Sequence, residues 1–106
     1  MSRRTKDRGT DNVLADLDFP DAEELTAKTV LAKKINDIVL SRGLTQLEVA
    51  ELLGMPQPKV SAIRNYKLRG ISLERLMQAL TALGQHVEIV VSPSSRMSPA
   101  RIDVAA

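Results

Sequence analysis

GLTQLEVAELLGMPQPKVSAIRNYKLRG, running from Gly43 to Gly70, consists of two short amphipathic stretches separated by Leu53-Gly54-Met55-Pro56. Thr45 carries the hydroxyl that an N-cap needs. Behind it, Leu47, Val49, Ala50, Leu52 and Leu53 recur at helical spacing, which predicts a helix to about Leu53 with those side chains on its apolar face. Gly54 stops this helix, because glycine enters the left-handed backbone region without a Cβ clash. Pro56 and Pro58 mark the start of a second helix, since a proline in the first turn loses no hydrogen bond it could have made. Val60 and Ile63 anchor that helix inward. Gln57, Lys59, Ser61, Ala62, Arg64 and Asn65 point the other way.

The charge of this stretch is one-sided. From Gly54 to Gly70, Lys59, Arg64, Lys67 and Arg69 meet no Asp or Glu, whereas Glu48 and Glu51 precede them and Glu74 follows. A whole-chain net charge of +2 and a pI near 9.2 would mean little alone, because lysine-rich solvated faces are common. Cations without counter-charges on the exposed side of a helix that follows a tight corner suit a duplex phosphate backbone. The pattern is a helix-turn-helix.

From Leu31 to Val91 the chain resembles the Xre-type, lambda-repressor-like DNA-binding domains. Leu44-Thr45-Gln46, Ala50, Leu53-Gly54, Gln57, Val60, Ser61 and Ile63 fall in the register of that family, and an apolar helix beginning Ser72-Leu73-Glu74 follows. The resemblance implies an all-α, lambda-repressor-like helix-turn-helix bundle that binds double-stranded DNA. It also implies that Gln46 and Asn65 hold phosphates and brace the base-reading Gln57.

Side-chain chemistry extends this to the other positions. Gln57 is long enough for a bidentate contact with adenine in the major groove, and Lys59 reaches guanine or a phosphate. Ser61 and Ala62 are small enough to allow close approach to a thymine methyl. Pro58 departs from the family, where a small polar residue often touches a base, and is left to pack on sugar or methyl. Arg64, Lys67 and Arg69 are assigned to phosphates on charge and location. The competing readings are that Gln57 caps its own helix, that Asn65 terminates it, and that Arg64 and Lys67 are ordinary surface charge.

Composition narrows the alternatives. In 106 residues, Phe19 and Tyr66 are the only rings, which speaks against stacking platforms for single-stranded nucleic acid. The absence of cysteine removes disulfides and thiolate metal sites. His86 is the single histidine, so Ser61 has no triad partner, and His86 is read as a strand surface residue rather than a metal ligand. No cofactor, metal, small-molecule substrate or enzymatic activity is expected. No apolar run approaches the ~18 residues of a membrane span, and polar residues follow Met1-Ser2-Arg3-Arg4, so a cytoplasmic protein is expected.

The flanks complete the organisation. Residues 1–18 form an arm with Arg3, Arg4, Lys6 and Arg8, read as mobile, with groove binding as its sharper alternative. Val13, Leu14, Leu17 and Phe19 make an apolar patch. The domain spans residues 19–91. Asp21-Ala22-Glu23-Glu24 opens a long helix to about Arg42, with Leu25, Leu31, Ile35, Ile38 and Val39 buried, Lys28, Lys33 and Lys34 wet, and a weak point near Lys28. Ser72 caps a further helix through Leu83. His86-Val87-Glu88-Ile89-Val90-Val91 has the β-branched pattern of a strand with no partner in the chain, which predicts pairing across a homodimer. Residues 92–106 read as a disordered tail.

The order Asn12 to Leu17, Phe19-Pro20-Asp21, long helix, helix-turn-helix and terminal Gly84-Gln85-His86 segment is further similar to the small HigA-like antitoxins. That likeness implies a dimeric repressor of its own operon that neutralises a RelE-fold toxin. The N-terminal segment and first helix, with Asp16, Asp18, Asp21, Glu23 and Glu24, would form the toxin contact. A stand-alone Xre-type regulator and a protein-interaction module using the fold as scaffold stay open beside it.

Overall fold

The computed structural model describes residues 21–94 and 102–106. Among them are four helices: α1 (Asp21–Arg42), α2 (Gln46–Leu53), α3 (Gln57–Arg64) and α4 (Leu73–Ala82). α1 is 22 residues long, about 33 Å. It forms the spine, packing mainly against α4, while α2 packs against α3. The expected weak point near Lys28 does not interrupt it. The Thr26 and Thr29 hydroxyls donate back to Ala22 O (2.7 Å) and Leu25 O (2.8 Å), so neither competes with the helix from outside.

The core is aliphatic. Leu31, Ala32, Ile35 and Val39 of α1 meet Val49 and Leu53 of α2, Val60 and Ile63 of α3, and Leu76, Ala79, Leu80 and Leu83 at α4, with Met55, Leu68 and Ile71 filling in from the connections. Two expectations about its edges are corrected. Leu47 and Leu52 are 56% and 49% exposed; α2 has only eight residues, and it faces the core along Val49 and Leu53, leaving the flanking leucines outside. Lys28, expected on the wet side, is only 3% exposed. Its ammonium donates to Leu68 O at 3.2 Å and lies 3.4 Å from the Glu24 carboxylate, which satisfies the charge that burial would otherwise penalise.

Other donors on α1 also close helix ends. Asn36 Nδ2, buried, donates to Ile63 O at 3.1 Å, and Arg42 Nη2 donates to Leu83 O at 2.7 Å. The last carbonyls of α3 and α4 are thereby tied to the spine.

The strand expected over His86–Val91 is not formed: residues 85–94 carry no strand. A strand needs a ladder partner, and none of the described segments offers one. Val87 tucks against the core while Ile89, Val90 and Val91 are 72%, 78% and 91% exposed. In the segment read as a tail, Ile102 N–H donates to Glu23 Oε1 at 2.9 Å and Val104 packs against the core. The arm of residues 1–18, the patch at Val13, Leu14, Leu17 and Phe19, and the carboxylates of Asp16 and Asp18 lie outside the described residues. Among the described residues no helix is long and apolar enough to cross a membrane, and no group of His, Cys, Asp or Glu could hold a metal ion.

Candidate nucleic-acid interface

The corner that presents α3 is built from local chemistry. Thr45 Oγ1 accepts from Glu48 N–H at 3.1 Å while Glu48 Oε1 accepts from Thr45 N–H at 2.8 Å, a reciprocal capping box that fixes where α2 starts. Gly54, at φ 62 and ψ 39, turns the chain out of α2. Pro56 is the N-cap of α3 at φ −63 and ψ 150, and Pro58 stands in its first turn. Lys59 N–H and Val60 N–H both return to Pro56 O, at 3.0 and 3.2 Å.

Arg75 of α4 locks this corner, a role no sequence signal marked because its partners are backbone carbonyls. Its Nη2 donates to Gly54 O at 2.8 Å and Leu53 O at 3.4 Å. A guanidinium there also complements the negative end of the α2 dipole.

The outward side of α3 carries the expected readers. Gln57, Pro58 and Lys59 are exposed, while Ser61 and Ala62 are half-buried. Pro56, not Gln57, caps the helix, and no side-chain cap is made there, so the exposed Gln57 is not used as a cap. Lys59 is turned aside: its Nζ donates to Gly70 O at 2.8 Å, bridging the first turn of α3 to the loop before α4.

At the far end, Asn65 is the C-cap, and its Nδ2 donates to Ser61 O at 3.0 Å and Ser61 Oγ at 3.4 Å. Arg64, Lys67 and Arg69 are exposed. Gln46, at the start of α2, and Arg64, at the end of α3, line one small depression over the core, so two phosphate candidates from different helices are brought together. Tyr66, unmarked as a site residue in the sequence, sits between Asn65 and Lys67 with a positive φ of 58.

The acidic residues at the start of α1 are partly occupied within the chain, Glu23 by Ile102 N–H and Glu24 by Lys28. Lys33 is paired with Asp37 at 3.0 Å. The hydrogen bond and charge of Asp37, with a smaller contribution from the Tyr66 phenol, hold its ammonium above the usual lysine value.

Comparison with known proteins agrees with this architecture. The helix-turn-helix domain family matches residues 13–92. A solved structure named as belonging to the XRE family of transcriptional regulators superposes with a TM-score of 0.77 at 51% identity, over 82% of this chain and 99% of its own. No curated protein gives a match. With the family matched across most of its length and the corner, caps and core in place, the chain belongs to the helix-turn-helix domain family and is an Xre-type protein.

Proposed function

We propose that this protein is a sequence-specific, double-stranded DNA-binding transcriptional repressor. One observation carries the reading: α3 presents exposed Gln57 and Arg64, with half-buried Ser61 and Ala62 between them, from a corner held by the Thr45–Glu48 capping box and Arg75, and no carboxylate occurs from Met55 to Leu73. α3 enters the major groove with its N-terminal turn against the bases. Gln57 reads adenine, and Ser61 and Ala62 allow close approach, with Pro58 packing on sugar or a methyl group. Gln46 and Arg64 straddle the groove edge on phosphates, with Asn65, Lys67 and Arg69 continuing the backbone track. Lys59 is available to DNA only by leaving Gly70 O.

The molecule acts as a homodimer in the cytoplasm. The exposed, β-branched Ile89-Val90-Val91 segment supports this: it forms no strand in the single chain and would become one on pairing with His86–Val91 of a second copy. Two copies then place their α3 helices ~34 Å apart, on successive turns of a pseudo-palindromic site.

The finer role is that of the antitoxin in a toxin-antitoxin pair, with a RelE-fold toxin held by the N-terminal segment and α1. The likeness in element order to HigA-like proteins supports it. A stand-alone regulator is the second reading, favoured by the name of the solved relative, which mentions transcriptional regulation alone. Co-purification with the product of an adjacent gene separates the two.

The test of DNA reading compares Gln57→Ala with Arg64→Ala on duplexes substituted at each base pair. Gln57→Ala relaxes the preference at one position by about 1–3 kcal/mol, and Arg64→Ala weakens every duplex alike and flattens the salt slope by about one unit. Equal effects of the two changes would refute this division of labour.

A further inference from the structure

All four described helices end with the same backbone device. The amide of Leu44 returns to Val39 O (3.1 Å), Met55 to Ala50 O (3.1 Å), Lys67 to Ala62 O (2.8 Å) and Gln85 to Leu80 O (2.9 Å). Each bond closes over a residue in the left-handed region. At three ends that residue is glycine: Gly43, Gly54 and Gly84, with φ of 64, 62 and 83. At the end of α3 it is Tyr66, with φ of 58. The glycines are not there for space, since a Cβ built on each meets nothing within 4 Å. What selects them is conformational energy alone, and a bulky aromatic side chain forfeits that advantage.

Among the described residues the fold tolerates this cost once, at the helix proposed to enter the groove, and the residue that bears it is not part of the buried core. Tyr66 is 46% exposed, the chain's last aromatic residue, standing between Asn65 and Lys67. A strained residue held at a surface, where core packing does not account for it, points to function.

We propose that Tyr66 is a DNA-contact residue: its ring lies against the deoxyribose-phosphate backbone at the groove edge and its hydroxyl donates to a phosphate oxygen, alongside Lys67. Tyrosine hydroxyls serve as phosphate donors in protein–DNA interfaces, and Tyr66 stands exposed in a run, Arg64 to Lys67, whose residues are all exposed. The proposal rests on α3 being the groove helix.

Its test uses the full chain, its upstream duplex and a scrambled duplex, with Tyr66→Gly and Tyr66→Phe. Glycine removes the strain and the ring together, so Tyr66→Gly melts at or above the wild-type temperature. It nevertheless binds both duplexes about tenfold more weakly, the loss expected for a hydrogen bond to a charged group. Tyr66→Phe keeps the fold and loses most of that affinity. Because the chain has a single tyrosine, 3-fluorotyrosine labelling gives one fluorine resonance, and saturation with duplex shifts it. Wild-type affinity in Tyr66→Gly, or a fluorine resonance unmoved by bound duplex, overturns the proposal while leaving the groove reading intact. A Tyr66→Gly that melts lower, with Tyr66→Phe binding as wild type, assigns the ring to the fold and overturns it as well. If the wild-type chain binds neither duplex, the groove reading itself falls.

Discussion

Lys28 shows how far a single residue can depart from its type. A lysine on a helix normally keeps its ammonium in water with its stem on the surface, yet here the whole side chain is buried between Glu24 and Leu68 O. Lys28→Met strands both partners and costs about 1–3 kcal/mol in urea unfolding. Adding Glu24→Gln recovers part of that loss, because a neutral pair no longer leaves a half-buried charge uncompensated. The burial of Lys28 was not legible because its partner is a backbone carbonyl forty residues away, and a carbonyl has no sequence signature. Lys59, Asn36 and Arg75 were hidden in the same way, each donating to the main chain of another element. Lys33 has a weaker, pH-dependent role. Its folded pKa is raised above 10.5 by Asp37, so its stabilisation is complete below pH 10.5 and fades as pH rises through the folded value. Melting temperatures of wild type and Lys33→Met converge there.

At the scale of elements, the corner was legible because its determinants are local. Thr45 with Glu48, Gly54, and Pro56 with Pro58 each act within one turn of their own helix, and short-range chemistry of this kind is what sequence spacing records. Thr45→Ala removes the hydroxyl that receives Glu48 N–H and lowers stability by about 1 kcal/mol. Gly54→Ala costs a similar amount, about 1 kcal/mol, through φ alone, since its Cβ would meet no atom within 4 Å. Thermal melts of the two variants check both, and a Gly54→Ala loss well above that size would indicate that the turn also packs against something. Less legible was which leucines of α2 face inward. Leu47, Val49, Ala50, Leu52 and Leu53 cover too wide an arc for an eight-residue helix to bury, and only the packing partners choose Val49 and Leu53.

The whole molecule joins these elements into a scaffold that holds α3 outward. Donors on α1 fasten α3 and α4, and Arg75 fastens the corner, so α3 is tied to the spine at its end and to α4 at its start. The C-terminal segment is where reading the single chain reached its limit. Its β-branched composition is plain, but a strand is a property of a pair, and pairing across copies belongs to an assembly. If Ile89-Val90-Val91 pairs with a second copy, Val90→Pro, which removes an amide and resists the ladder, yields a monomer in sedimentation equilibrium and weakens operator binding. An unchanged dimer would place the interface elsewhere.

The central claim, that the face of α3 reads a duplex, is tested most directly by fluorescence anisotropy of the purified chain with its own upstream DNA and with a scrambled duplex, at two salt concentrations. The account predicts tight binding to the upstream site, weaker binding to the scrambled one, and a steep loss of affinity for both as salt rises. Equal, weak binding to the two duplexes with little dependence on salt would contradict it and leave the helix-turn-helix as a scaffold for protein contacts.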